Sequence, residues 1–263
     1  MKFGINNPAW LQAAGNRMDV DWGTQFRLTS LEDDNVITFP TGTRYGDNKE
    51  SVEYSFNNSK WNALPNDGLV LKNEQTVAFR AIGDYKIFEN KKLLDASGKF
   101  KLSGKLLDAI NPTGTFSDAS NLLTSIFMGL PVVDASELKL PEFGYFSTDS
   151  AKYAFKDCTY LELAPYIYGI WANGVYEGMF ENCSKIQSVE IQMDRFQNNV
   201  LSKMFGGCSM LSSINMNLAT SITSVSALSW PTGISDIGVL TINFTTTKEN
   251  LGLPSGWEIE VVE

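Results

Sequence analysis

The three cysteines of this 263-residue chain, Cys158, Cys183 and Cys208, stand 25 residues apart. Each sits in one frame: Ala154-Phe155-x-x-Cys158-Thr159-x-Leu161, Met179-Phe180-x-x-Cys183-Ser184-x-Ile186 and Met204-Phe205-x-x-Cys208-Ser209-x-Leu211. A fixed period in this range predicts a solenoid, because one such unit cannot bury its apolar face alone and must stack on the next. A strand-like alternation follows each frame. Val189 and Ile191 recur as Ile214 and Met216, and again as Val239 and Thr241. The C-terminal half is therefore expected to present an extended surface on a rigid stack.

Stacked rungs lie about 4.8 Å apart, so cysteines at one repeat position form an internal column. That spacing falls within disulfide range, but the odd count and the apolar niche argue for buried free thiols. A zinc site fits less well, because metal-binding cysteines come in close pairs and the chain has no histidine. The missing histidine also removes the side chain best suited to acid–base work near neutral pH, which lowers the expectation of an enzyme. Carboxylate catalysis stays open on these grounds. No metal and no cofactor is expected.

Charge is unevenly placed. Residues 1–105 carry 14 Lys+Arg against 13 Asp+Glu, and residues 106–263 carry 7 against 17, which together give the net −9 of the chain. An acidic repeat half repels phosphate backbones and anionic lipid, so no nucleic-acid partner is expected. The longest apolar tract, Leu122 to Val133, is interrupted by Thr124, Ser125, Gly129 and Pro131. It falls well short of the roughly 20 apolar residues that span a bilayer, and no membrane insertion is expected. Asn6, Asn7 and Pro8 break the apolar start that a secretory leader needs, which predicts a protein made in the cytoplasm without a signal peptide.

Three segments follow from the patterning. Residues 1–24 read as an arm with a short helix over Ala9–Ala14, either lying on the next domain or anchoring the chain to another one. Residues 25–105 read as a β-sandwich or jelly-roll-like domain, with strands at Phe26–Thr29, Val36–Phe39, Val52–Phe56, Leu69–Leu71, Thr76–Arg80, Tyr85–Phe88 and Lys99–Leu102. Residues 106–263 read as the repeat stack with terminal caps. Short helices over Leu106–Ile110 and Ser120–Phe127 lead into it, and Phe127-x-x-Leu130 serves as a degenerate first frame, 28 residues before Phe155. Thr241–Phe244 and Trp257–Val262 are expected to be closing strands, beyond Trp230 where the Phe-Cys frame is lost. The fold class is mostly β with some α.

The Met-Phe-x-x-Cys-Ser-x-Leu frame resembles the BspA-like leucine-rich repeats. Leu28–Asp33, Val52–Ser55, Val77–Arg80 and Gly98–Gly104 resemble the β-domain often found ahead of them. The resemblance covers most of residues 25–263. It implies repeats whose Phe and Cys point into the stack, in surface proteins of gut anaerobes or in structural proteins of their bacteriophages.

Six of the nine tyrosines fall between Phe143 and Phe180. In Tyr166-Ile167-Tyr168-Gly169-Ile170-Trp171, alternation puts Tyr166 and Tyr168 on one face. The bland reading is core filling under an insertion; the functional one is a stacking platform for sugars or a protein hot spot. Tyr166, Tyr168 and Trp171 are the candidate ligand-binding residues. Ser136-x-x-Lys139 matches a nucleophile motif without its flanking elements. Asp19-Val20-Asp21 and Glu32-Asp33-Asp34 lack the full ligand spacing of a calcium loop, so solvated turns are the simpler reading. Asn57-Asn58-Ser59 and Asn243-Phe244-Thr245 match glycosylation acceptors, which mean little without a secretory route.

The expectation is a non-enzymatic, homo-oligomeric structural protein of a bacteriophage virion, a head or tail fibre-like decoration. Its arm would attach to other virion proteins and its repeats would touch host surface glycans. The alternative is a BspA-like bacterial surface adhesin.

Overall fold

A computed structural model describes residues 24–82, 91–110, 121–141, 149–169, 175–193, 201–218, 233–244 and 247–262. Almost all of the arm, its Ala9–Ala14 helix, the Tyr85–Phe88 strand and Trp230 lie outside the described residues.

Alternating side chains build the N-terminal sheet. Strand β1 (Phe26–Ser30) buries Phe26 and Leu28, and its neighbours β6 (Thr76–Ala81) and β8 (Phe100–Lys105) bury Val77, Phe79, Phe100 and Leu102. With β3 (Val52–Ser55), β4 (Asn62–Ala63) and β9 (Val132–Lys139) they form a six-stranded sheet in the order β4-β3-β6-β1-β8-β9. A second sheet, β5-β2-β7, joins β2 (Asn35–Thr38), β5 (Leu69–Leu71) and β7 (Asp95–Ala96). The α-helices among the described residues are short: α1 (Arg44–Asp47), whose first turn is capped by Thr43 accepting from Gly46 N–H, α2 (Leu106–Ile110) and α3 (Lys248–Leu251). The protein is mostly β.

The six-stranded sheet changes character at β8–β9, where pairing turns from antiparallel to parallel. Bridges from Asp134 to Leu163 and from Leu163 to Ser188 carry it into a parallel five-stranded sheet. That sheet consists of β10 (Ile167–Gly169), β11 (Ser188–Met193), β12 (Ser213–Leu218), β13 (Ile237–Ile242) and β14 (Gly256–Val261), in that order. Ser188 faces Ser213 and Ile191 faces Met216, the 25-residue register expected from the frames.

The next rung slips by one residue. Ile214 faces Leu240 and Met216 faces Ile242, so Leu240 and Ile242 fill the inward positions expected for Val239 and Thr241, and the strand is Ile237–Ile242 in place of Thr241–Phe244. An extra residue in the connection is absorbed so that two bulky aliphatic groups are buried and the Thr241 hydroxyl stays outside.

Opposite the strands, residues 121–129, 149–157, 175–182 and 201–207 run as consecutive turns. Phe155 N–H donates to Met179 O and Phe180 N–H to Met204 O, both at 2.9 Å, while the next amides, of Lys156 and Glu181, close turns within their own rung. The helix expected over Ser120–Phe127 is replaced by this pattern where the structure describes it. Ser125 and Phe127 send their amides to Lys152 O and Ala154 O on the next rung. A helix would have consumed those donors internally and left the rung above without partners.

Every fourth turn residue adopts the left-handed conformation, and these residues stack: Ser125, Tyr153, Gly178 and Lys203 have φ of 57, 57, 57 and 53°. A Cβ on Gly178 would lie 2.4 Å from the Tyr153 ring, so that rung needs its glycine. Lys203 is exposed and bears the left-handed cost of roughly 1–2 kcal/mol that glycine avoids. Lys203→Gly is expected to raise stability by about 0.5–1 kcal/mol in urea unfolding, and a loss would show that the lysine side chain outweighs its backbone strain.

Inside, phenylalanines form one column. Ring centroids are 6.1 Å apart for Phe205–Phe180, 5.6 Å for Phe180–Phe155 and 5.0 Å for Phe155–Phe127, which places Phe127 in the frame as expected. The column does not stop at the repeats. Phe127 stacks on Phe26 at 6.1 Å, and Phe26 meets Phe79 at 6.4 Å, so one apolar core runs from β1 to Trp257.

Candidate functional site

The parallel sheet buries Ile167, Val189, Ile191, Ile214 and Met216 and turns the intervening residues outward. Tyr166 and Tyr168 are 41% and 38% exposed, which removes core filling as their role. Trp171 lies outside the described residues. The register sets outward side chains in rows across the strands. Tyr168 faces Gln192, which faces Asn217; Glu190 faces Asn215, which faces Thr241 and then Glu260. Tyr166 Oη lies 2.5 Å from Gln192 Oε1 and donates to it, which fixes the ring beside the next strand. Partial burial, then the Glu190 charge and Tyr168, push the Tyr166 phenol above its ordinary range.

Two furrows cross this face. One, of about 560 Å³, lies between β9 and β10 and takes in Glu137, Lys139, Tyr168 and Gln192. The other, of about 360 Å³, continues over Ser188, Ser213 and Asn215. They share Ser136 and Tyr166 as a common wall and so lie side by side, a divided trough across the rungs. Glu190, Gln192, Ser213 and Asn215 were not singled out from sequence. The signal was present, since each is an outward position of a strand placed by the 25-residue frame.

Other candidates are engaged within the protein. Ser136 Oγ donates to Asp134 Oδ1 at 2.7 Å. Asp34 pairs with Lys72 at 2.6 Å, Glu32 with Lys99 at 3.3 Å, and Asp33 accepts from Asn73 N–H. Asp19 and Asp21 lie outside the described residues. On the turn side Lys152 pairs with Glu177 at 3.0 Å and Lys156 with Glu181 at 2.9 Å, from rung to rung. Lys99 and Lys185 lie 5.2 and 5.3 Å from the Tyr160 ring centre, so that exposed tyrosine is already partnered. No helix among the described residues is long and apolar enough to cross a membrane.

The cysteine column is free and buried, as expected. Cys158, Cys183 and Cys208 donate their thiols to the carbonyls of Phe127, Phe155 and Phe180, each at 3.0 Å. Burial pushes Cys158 and Cys208 up to about 12 from an ordinary 9.0, and Cys183 well above its ordinary value. The fold thus favours the neutral thiol. That contribution is complete below the unfolded value and is lost as pH rises through the folded one, at about 1.4 kcal/mol per pH unit for each thiol. Two results are expected: no reaction of the native thiols with an aromatic disulfide at neutral pH, and a melting temperature that falls above about pH 9. The fall should flatten when all three cysteines are replaced by alanine, and equal slopes would place its source elsewhere.

No family model matches the sequence, and no curated protein and no solved structure matches it either. The site therefore rests on its own geometry. That geometry offers two aromatic rings, a row of amides and hydroxyls, and few charges on a stiff surface.

Proposed function

We propose that this chain is a structural and binding protein of a bacteriophage particle, a head or tail fibre-like decoration. Its 25-residue units are turns of a BspA-like leucine-rich-repeat solenoid, preceded by a β-sandwich-like domain. The observation that carries the reading is the trough: Tyr166 and Tyr168 stand exposed beside Gln192 and Asn215 on a sheet held rigid by a continuous phenylalanine column. A rigid stack with an exposed aromatic and amide face serves recognition, since ordered rings bind without losing much side-chain freedom. The resemblance of the Phe-x-x-Cys frames supplies the setting, and the acidic repeat half turns the module away from nucleic acid. Mass spectrometry of purified particles tests it. The protein is expected in the particle at stoichiometric copy number, and its presence only in bacterial envelopes would move the same face to a cell-surface adhesin.

A further inference from the structure

We infer that the trough binds an uncharged glycan chain lying along the stack axis, across the strands. The inference rests on the recognition reading above and names its ligand class. Three observations carry it. The trough crosses the rungs, running from β9 through β10 and β11 to β12, so its occupant is a polymer or an oligomer and not a single small molecule.

The second observation is the chemistry on offer. Over β11, β12 and β13 the sheet's backbone amides and carbonyls pair with strands on both sides and leave the face to side chains, while β10 is an edge strand paired with β11 alone. An extended peptide is recognised chiefly through its main chain at a strand edge, and β10 offers one over only three residues, Ile167–Gly169, while the rest of the trough offers side chains. Sugar rings present flat C–H faces and ranks of hydroxyls. Tyr166 and Tyr168 supply surfaces for the former side by side: about 6.6–6.8 Å apart along the strand, they stand abreast of a chain that crosses it and together face one stretch of it. Gln192, Ser213, Asn215 and Glu190 supply donors and acceptors for the latter.

The third observation is charge. Within the trough Glu137 and Glu190 outnumber Lys139, in a half of the chain with 17 acidic against 7 basic residues. Uronates, sulfated sugars and sialosides are repelled from such a surface, and neutral hexoses and N-acetylhexosamines are not.

Calorimetry and saturation-transfer NMR of the full chain with cellohexaose, chitohexaose and mannohexaose, against hyaluronan and polygalacturonate hexamers, test this. At least one neutral hexamer is expected to bind, and neither anionic one. Tyr166→Ala and Tyr168→Ala are each expected to weaken binding about three- to tenfold while circular dichroism stays unchanged. No response to any neutral hexamer, preference for the anionic ones, or indifference to both substitutions overturns the inference. If the trough instead saturates with a peptide or a particle protein, the glycan class fails while the recognition reading stands. Attachment to bacteria that survives both tyrosine substitutions removes this face from recognition altogether.

Discussion

Phe180→Ala is expected to lower the unfolding free energy by about 3–5 kcal/mol. The ring is fully buried between Phe155 and Phe205, with centroids at 5.6 and 6.1 Å. What makes the cost large is that the void cannot close. The rungs above and below are spaced by backbone hydrogen bonds, Phe155 N–H to Met179 O and Phe180 N–H to Met204 O, so removing one ring leaves its neighbours where they were. The backbone of Phe180 also accepts the Cys208 thiol, which is retained in the variant. Phe180→Leu, which refills much of the volume, is expected to cost below about 1.5 kcal/mol. Urea unfolding measures both. A broken central rung should also lower the slope of the transition, because a stack held by nearest-neighbour contacts splits into two weakly coupled parts. A loss under about 1 kcal/mol with an unchanged slope would mean that the rungs collapse onto one another, contrary to a ladder of fixed spacing.

Arg44→Met is expected to be comparably severe, for a different reason. Arg44 is 2% exposed, and its guanidinium donates to the carbonyls of Lys91 at 2.8 Å, Leu122 at 2.6 Å and Thr124 at 2.9 Å. Those of Leu122 and Thr124 belong to the first turn rung, while Arg44 lies on α1 of the N-terminal half. One buried cation therefore fastens the two halves by charge-assisted bonds. Methionine fills most of the space but donates nothing. The buried carbonyls then lose their partners at about 1–3 kcal/mol each, and a total of about 3–5 kcal/mol is expected. Lysine should not rescue, because a single ammonium cannot span the carbonyls of Lys91, Asn121, Leu122 and Thr124 that a planar fork reaches together. Hydrogen exchange is the discriminating measurement: protection should fall first at residues 121–130. Full recovery in Arg44→Lys would make the charge alone responsible.

Both effects fall where the sequence was partly readable. The Phe-x-x-Cys frames placed Phe155, Phe180 and Phe205 in one column because identical positions of stacked units coincide. Arg44 carries no such mark. Nothing local distinguishes a buried arginine from a solvated one until the carbonyls of residues 122 and 124, far along the chain, are seen to converge on it. The turn rungs misled for a related reason. Ser120–Phe127 has a helix-like apolar spacing, yet the amides of Ser125 and Phe127 had partners waiting on the next rung, and such partners decide backbone conformation as strongly as propensity does. The slip at β13 is of the same kind, since counting in 25s cannot reveal that one more residue fits into a connection.

The candidate site divides along the same line. From sequence alone came the period, the columns of Phe and Cys, the free thiols, and the sharing of one face by Tyr166 and Tyr168, because strand alternation and stacking are local rules. Whether that face was covered was beyond such rules. Only the tertiary structure decided that Tyr166 and Tyr168 point outward, that β9 joins the two sheets, and that the phenylalanine column continues through Phe26 into the N-terminal half. Alternation says which side chains travel together, while burial depends on what distant segment arrives to pack against them.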